Sequence, residues 1–138
     1  MTVEGFGQRL MQAVQAKRTP TMVGIDPRWN SLPAEIKSDV PGKPTADQIA
    51  QAYESFGRAV LETVGDLVPV VKFQSAFFEA VGPAGVAVLW SLAELASRRG
   101  LVVVMDAKRG DIGSTAEAYA DAYLAPLPGE PKPIADAL

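Results

Sequence analysis

"LVVVMDAKRGDIGSTAEAYA", residues 101–120, decides the fold. An apolar run from Leu101 to Met105 leads straight into Asp106, Lys108, Arg109 and Asp111. A half-exposed strand would alternate apolar and polar residues. A continuous run rich in β-branched residues predicts a strand of a parallel sheet, buried on both faces. "STAE" then predicts a helix start, because Ser114 and Glu117 have the spacing of a capping box. The stretch therefore reads as strand, charged loop, helix.

The same unit recurs upstream. Residues 4–17 predict an amphipathic helix, with Phe6, Leu10, Val14 and Met11 toward one face. "TPTMVGIDP" predicts a short strand stopped by Pro27, and a proline-rich loop follows over residues 28–44. "TADQIAQAYESFGRAVLETVGD" predicts a long helix. Thr45 and Gln48 form its capping box, and Ile49, Tyr53, Phe56, Val60 and Val64 form its apolar stripe. "LVPVVKF" predicts the second strand. "PAGVAVLWSLAELASRRG" predicts the next helix, with Pro83 in the first turn, Arg98 and Arg99 at the end and Gly100 just beyond it. The order is a helix followed by β-α-β-α-β-α, the pattern of a parallel α/β sheet with helical crossovers. "YLAPLPGEPKPIADAL" then breaks the rhythm, and "IADAL" starts to look regular only at the end of the chain.

Composition narrows the chemistry. With 138 residues, 48% of them apolar, a single core-forming domain is expected. The net charge of −3 and the lack of a basic cluster argue against a nucleic-acid partner. No stretch suits a signal peptide or a membrane span, so a cytoplasmic chain is expected. The sequence contains neither Cys nor His. Thiolate chemistry, Ser-His-Asp triads and His/Cys zinc sites are thereby excluded from this chain. Acid–base work would fall to Asp, Glu, Lys or Tyr.

Each expected strand finishes near an ionisable residue: Asp26, Lys72 and Asp106. Parallel α/β folds place their sites at that end of the strands. Asp106 and Lys108 are two apart and so are expected on one face. Asp111 extends the pair to Asp-x-Lys-x-x-Asp. Charges so close must compensate one another, since burying any one unpaired is costly. A Lys held between carboxylates stays protonated and can donate its proton to a strong base such as a carbanion. There is no GxxxxGK[ST] or GxGxxG, and capping is the expected work of Ser114.

"DAKRGDI" followed by "GSTA" resembles the signature of the orotidine 5′-phosphate decarboxylase family. "GIDPRWNSLP" and "VVKFQSAFFEAVG" resemble that family's first and second strands with their loops, and "STAEAYADAYL" resembles its longer bacterial branch. The resemblance implies the N-terminal portion, about three βα units, of a (β/α)8 TIM barrel that dimerises and uses no metal or cofactor. It implies catalytic roles for Lys108, Asp106, Asp111 and Lys72, with Lys108 protonating C6 of the pyrimidine once CO2 has left. Asp106 would face the substrate carboxylate. Asp26 and Lys72 would bind the ribose hydroxyls of orotidine 5′-phosphate. Asp111, Ile112 and Thr115 would reach into the partner subunit's site.

A barrel of this kind typically needs about 250 residues. Residues 1–138 are therefore expected to be a single incomplete barrel domain, cut before its fourth strand. Met1 and the first helix look complete, so the missing part is expected at the C-terminus. The isolated chain is expected to be inactive, because the strands that would bind phosphate and pyrimidine are later ones. Two other readings stand beside this one. The first is a Mg2+-dependent phosphosugar decarboxylase or aldolase of the same suprafamily. The second is a non-catalytic half-barrel fragment.

Overall fold

The computed structural model describes residues 5–37 and 42–138. Glu4, the first residue of the expected 4–17 helix, and residues 38–41 of the 28–44 loop lie outside the described residues. Helix α1 spans Phe6–Lys17, strand β1 Met22–Ile25, helix α2 Ala46–Val64 and strand β2 Val70–Gln74. Helix α3 spans Ser75–Glu79, α4 Pro83–Arg98, strand β3 Val102–Asp106 and helix α5 Gly113–Leu124. A short 3-10 turn at Trp29–Ser31 interrupts the expected loop.

The three strands form one parallel sheet in the order β1-β2-β3. Gly24 is level with Lys72, and Lys72 with Val104; Gln74 is level with Asp106. Alternation divides the sheet into two unlike faces. Ile25, Val71, Phe73, Val103 and Met105 are completely buried in the main core, together with Leu61, Phe78, Leu89 and Leu92. Full burial of such side chains stabilises the fold by roughly 1.5–3 kcal/mol each. Lys72, Gln74, Val104 and Asp106 point the other way and are only half-buried. On that second face, Val70 and Val102 are buried nearer the N-terminal ends of the strands. The expectation of a sheet covered on both faces thus fails at the C-terminal end. There the second face is polar and open.

Helix α2 begins as its sequence demands. Thr45 Oγ1 accepts from the Gln48 amide at 3.3 Å, and Gln48 Oε1 accepts from the Thr45 amide at 2.9 Å. Its fully buried residues are Ala50, Ala52, Tyr53, Gly57 and Leu61. The expected stripe lies partly to one side, with Ile49, Phe56, Val60 and Val64 only half-buried. Gly57 lets α2 approach α4 closely: a Cβ there would lie 2.4 Å from Leu92 Cδ1. Helix α4 has Pro83 in its first turn, and Gly100, at φ +78°, follows its end.

Three expectations need correction. Helix α1 buries none of its residues fully, and Phe6 and Met11 are exposed. Its attachments are partly polar: Arg9 pairs with Asp136, and Lys17 Nζ donates to the Gly65 carbonyl at 3.0 Å. Ser114 does not cap α5. The cap position belongs to Ile112, and Ser114 already lies inside the helix. Helix α3, only five residues long, was not foreseen. After α5 the chain runs back along the outer edge of β3. Ala137 makes a parallel bridge with Val104, and Asp136 exchanges hydrogen bonds with the Val103 backbone. No helix among the described residues is long and apolar enough to cross a membrane.

Candidate active site

The open polar face at the C-terminal end of the sheet gathers four charges from three strands. Asp26 follows β1 directly. Lys72 lies within β2, two residues before its end, because the strand continues through Phe73 to Gln74. Asp106 closes β3. Lys72 Nζ lies 3.5 Å from Asp26 Oδ1 and 3.5 Å from Asp106 Oδ2. Lys108 Nζ donates to Asp106 Oδ1 at 2.8 Å. The result is a continuous chain of alternating sign: Asp26, Lys72, Asp106, Lys108.

Lys108 reaches Asp106 by a route that strand alternation does not describe. The strand has already ended, and Lys108 has φ +40°, in the left-handed region. Such a conformation is unfavourable for a side chain larger than Gly, and it recurs at functional sites. The reversal of direction folds the exposed ammonium back over the carboxylate two residues earlier.

Asp106 is held more fully than its charge pattern suggested. Gln74 Nε2 donates to its Oδ2 at 2.7 Å. Ser75 Oγ, a buried polar group, donates to its backbone carbonyl at 3.2 Å. The hydrogen-bonded Lys108 ammonium holds the Asp106 carboxyl below the ordinary aspartate range; partial burial opposes this, and Lys72 adds to it. A carboxylate so placed is ionised at neutral pH.

Arg109 braces the loop from the other side. Its guanidinium donates to Glu79 of α3 and to the Ala107 carbonyl, and it lies 5.9 Å from the Tyr119 ring centre on α5. The hydrogen bond to Glu79 raises its affinity for its proton, against a smaller opposing effect of burial.

Asp111, Ile112 and Thr115 are not brought to this cluster. All three are exposed, and Ile112 is 86% accessible. The Asp111 carboxylate accepts from the Ile112 amide at 2.8 Å and joins no ion pair among the described residues. Within this chain, the Lys set between two carboxylates is therefore Lys72, not Lys108. Gln74, Ser75, Glu79 and Arg109 join the site without any part in it being expected from the sequence. Gln74 was within reach of the same alternation that pairs Lys72 with Asp106, but a neutral amide does not stand out in a search for ionisable groups.

Among the described residues, no group of three or more acidic side chains is arranged to hold a metal ion. A cleft of about 540 Å3 lies elsewhere, between α4 and residues 127–134, and includes Trp90, Glu94 and Lys132. None of the charged strand-end residues lines it.

A parallel α/β segment with alternating charges at the C-terminal ends of its strands has the form of part of a (β/α) barrel enzyme. Comparison with known proteins defines the family. Residues 34–127 match the family described as orotidine 5′-phosphate decarboxylase / HUMPS, and the chain belongs to that family. It is 45% identical over 119 residues to the orotidine 5′-phosphate decarboxylase of Rhodopirellula baltica, covering 86% of this chain and 39% of that protein. It is 48% identical over 124 residues to the enzyme of the same name from Streptomyces coelicolor, covering 88% and 40% respectively. The fold superposes on the Leishmania donovani OMP decarboxylase with a TM-score of 0.64 at 30% identity, over 86% of this chain and 39% of that one. A crystal structure from Streptomyces avermitilis gives a TM-score of 0.70 at 46% identity, over 90% and 40%. The fold is thus part of the barrel of these enzymes, and the chain spans about two fifths of the length of the curated relatives it matches.

Proposed function

We propose that residues 1–138 form one barrel segment carrying the charged centre of an orotidine 5′-phosphate decarboxylase. Such an enzyme converts orotidine 5′-phosphate to UMP and CO2 in the cytoplasm. The observation that carries this reading is the unbroken Asp26–Lys72–Asp106–Lys108 chain at the strand ends. The family name alone also admits other phosphosugar chemistry; the curated relatives at 45% and 48% identity favour the decarboxylase.

The roles follow from charge and position. The C6–carboxylate bond of the substrate breaks and its electron pair stays on C6. The Lys108 ammonium gives a proton to that carbon, forming the C6–H bond of UMP, and is then reprotonated from water. Proton donation by a well-placed side chain contributes about 10²- to 10⁴-fold. Asp106 presents a fixed negative charge to the substrate carboxylate, which favours its departure as neutral CO2. Lys72 and Asp26 bind the ribose hydroxyls, and Lys72 keeps the two carboxylates apart. Asp111, Ile112 and Thr115, exposed in a single chain, enter the partner subunit's site in a homodimer. The reaction needs no metal or cofactor.

Binding energy from a remote phosphate is what such an enzyme applies at its reacting carbon. The three strands described here offer no basic cluster for that phosphate beyond the network itself. Activity therefore requires a completed barrel. The test joins this chain to the C-terminal three fifths of the Streptomyces coelicolor relative and measures UMP formation from orotidine 5′-phosphate. Turnover supports the reading. A folded, dimeric chimera with no turnover contradicts it.

A further inference from the structure

We infer that Gln74 is a positioning residue for the Asp106 carboxylate. Gln74 is the last residue of β2 and lies level with Asp106, the last residue of β3. Both side chains rise from the same face of the sheet. Gln74 Nε2 donates to Oδ2 at 2.7 Å, which is shorter than the 3.5 Å from the same oxygen to Lys72 Nζ. Lys108 donates to the other oxygen, Oδ1, at 2.8 Å. The two oxygens are thus held by different donors, which fixes the rotation of the carboxylate about its last bond. The next residue, Ser75, donates from its buried hydroxyl to the Asp106 carbonyl. Side chain and backbone of Asp106 are therefore held by consecutive residues at the β2–α3 junction.

The choice of an amide has a chemical reason. Lys72 already answers two carboxylates, Asp26 and Asp106. A third cation would neutralise the negative charge that Asp106 presents. A carboxylate there would repel it. An amide N–H donor orients the carboxylate and leaves its charge in place. The charged groups facing Asp106 are then Lys72 from β2, with Asp26 beyond it from β1, and Lys108 from its own loop. The catalytic consequence rests on the function proposed above; the positioning itself does not.

The test separates the two. In the 138-residue chain, the Asp106 side-chain carboxyl is followed by 13C NMR as pH is lowered. Gln74→Leu removes the donor and is expected to move the Asp106 titration upward by about half a pH unit or more. Gln74→Glu keeps size and polarity but sets a carboxylate beside Oδ2. It should move the titration further in the same direction and guards against a folding failure of the first variant. In the completed barrel, Gln74→Leu should lower kcat by up to about a hundredfold, the scale of a misplaced reacting geometry, with KM little changed. An Asp106 titration unchanged in both variants overturns the inference, whether or not the chimera is active. Shifted titrations with an unchanged kcat keep the contact and overturn its part in the reaction.

Discussion

Lys108 and Asp106 are hydrogen-bonded at 2.8 Å, with the ammonium brought back over the carboxylate by a left-handed backbone at Lys108 itself. The strand delivers the carboxylate and the turn delivers the amine. One short segment thereby sets an ammonium against a carboxylate, at the end of the sheet where parallel α/β enzymes place their sites.

This pairing makes acid stability depend on Asp106. Its carboxyl is held below the ordinary range, chiefly by Lys108. In the unfolded chain it titrates near the usual 3.9 or so. Between the two values the unfolded state binds more protons, so stability rises with pH. The contribution is complete above about pH 4 and is lost as pH falls through the lower folded value. Thermal midpoints measured from pH 5 down to about pH 2.5 should fall less steeply in Asp106→Asn than in the unaltered chain. Parallel curves would remove Asp106 from the acid transition.

Two glycines at helix contacts should tolerate a methyl group unequally. At Gly57 the added Cβ meets the flexible end of Leu92, whereas at Gly85 it would lie 2.1 Å from the Phe78 carbonyl oxygen. A side chain can turn aside and a backbone carbonyl cannot. Gly85→Ala should destabilise the chain by about 1–3 kcal/mol or more, the cost of overpacking. Gly57→Ala should cost less, because Leu92 can move and the gain in helix propensity, up to about 1 kcal/mol, is then not overwhelmed by a backbone clash. Urea unfolding of the two variants checks the order.

Much of this architecture is legible in the sequence, for identifiable reasons. Long helices repeat their period several times, so α2 and α4 stand out, and the Thr45 and Gln48 cap is found where the spacing places it. Helix α3 is hidden because five residues are too few to show a period. The Ser114 spacing misleads because Ser-x-x-Glu also fits the inside of a helix that has begun one residue earlier. At the site, Lys72 and Asp106 stand out in the sequence as charges at the ends of apolar strands, and the register of the sheet then puts them on one face. Lys108 joins them through a backbone reversal that no period encodes. Gln74 shares the face but carries no charge to mark it. Loop residues such as Asp111 have no period to set their direction.

Metal independence separates the proposed chemistry from Mg2+-dependent relatives of the same suprafamily. A completed barrel should keep its turnover in excess EDTA. Loss of activity on chelation, with recovery on adding Mg2+, would favour the other chemistry.

The isolated 138-residue chain should form no UMP from orotidine 5′-phosphate, even at high protein concentration. Product detected by chromatography would show that three strands suffice.

The role of Lys108 is the centre of the account, and it is tested most directly by kcat in the completed barrel. Lys108→Ala should lower kcat by at least about a hundredfold, the lower range for loss of a proton donor, while the far-UV circular dichroism stays unchanged. A folded Lys108→Ala enzyme whose kcat stays within a few-fold of the parent would contradict it.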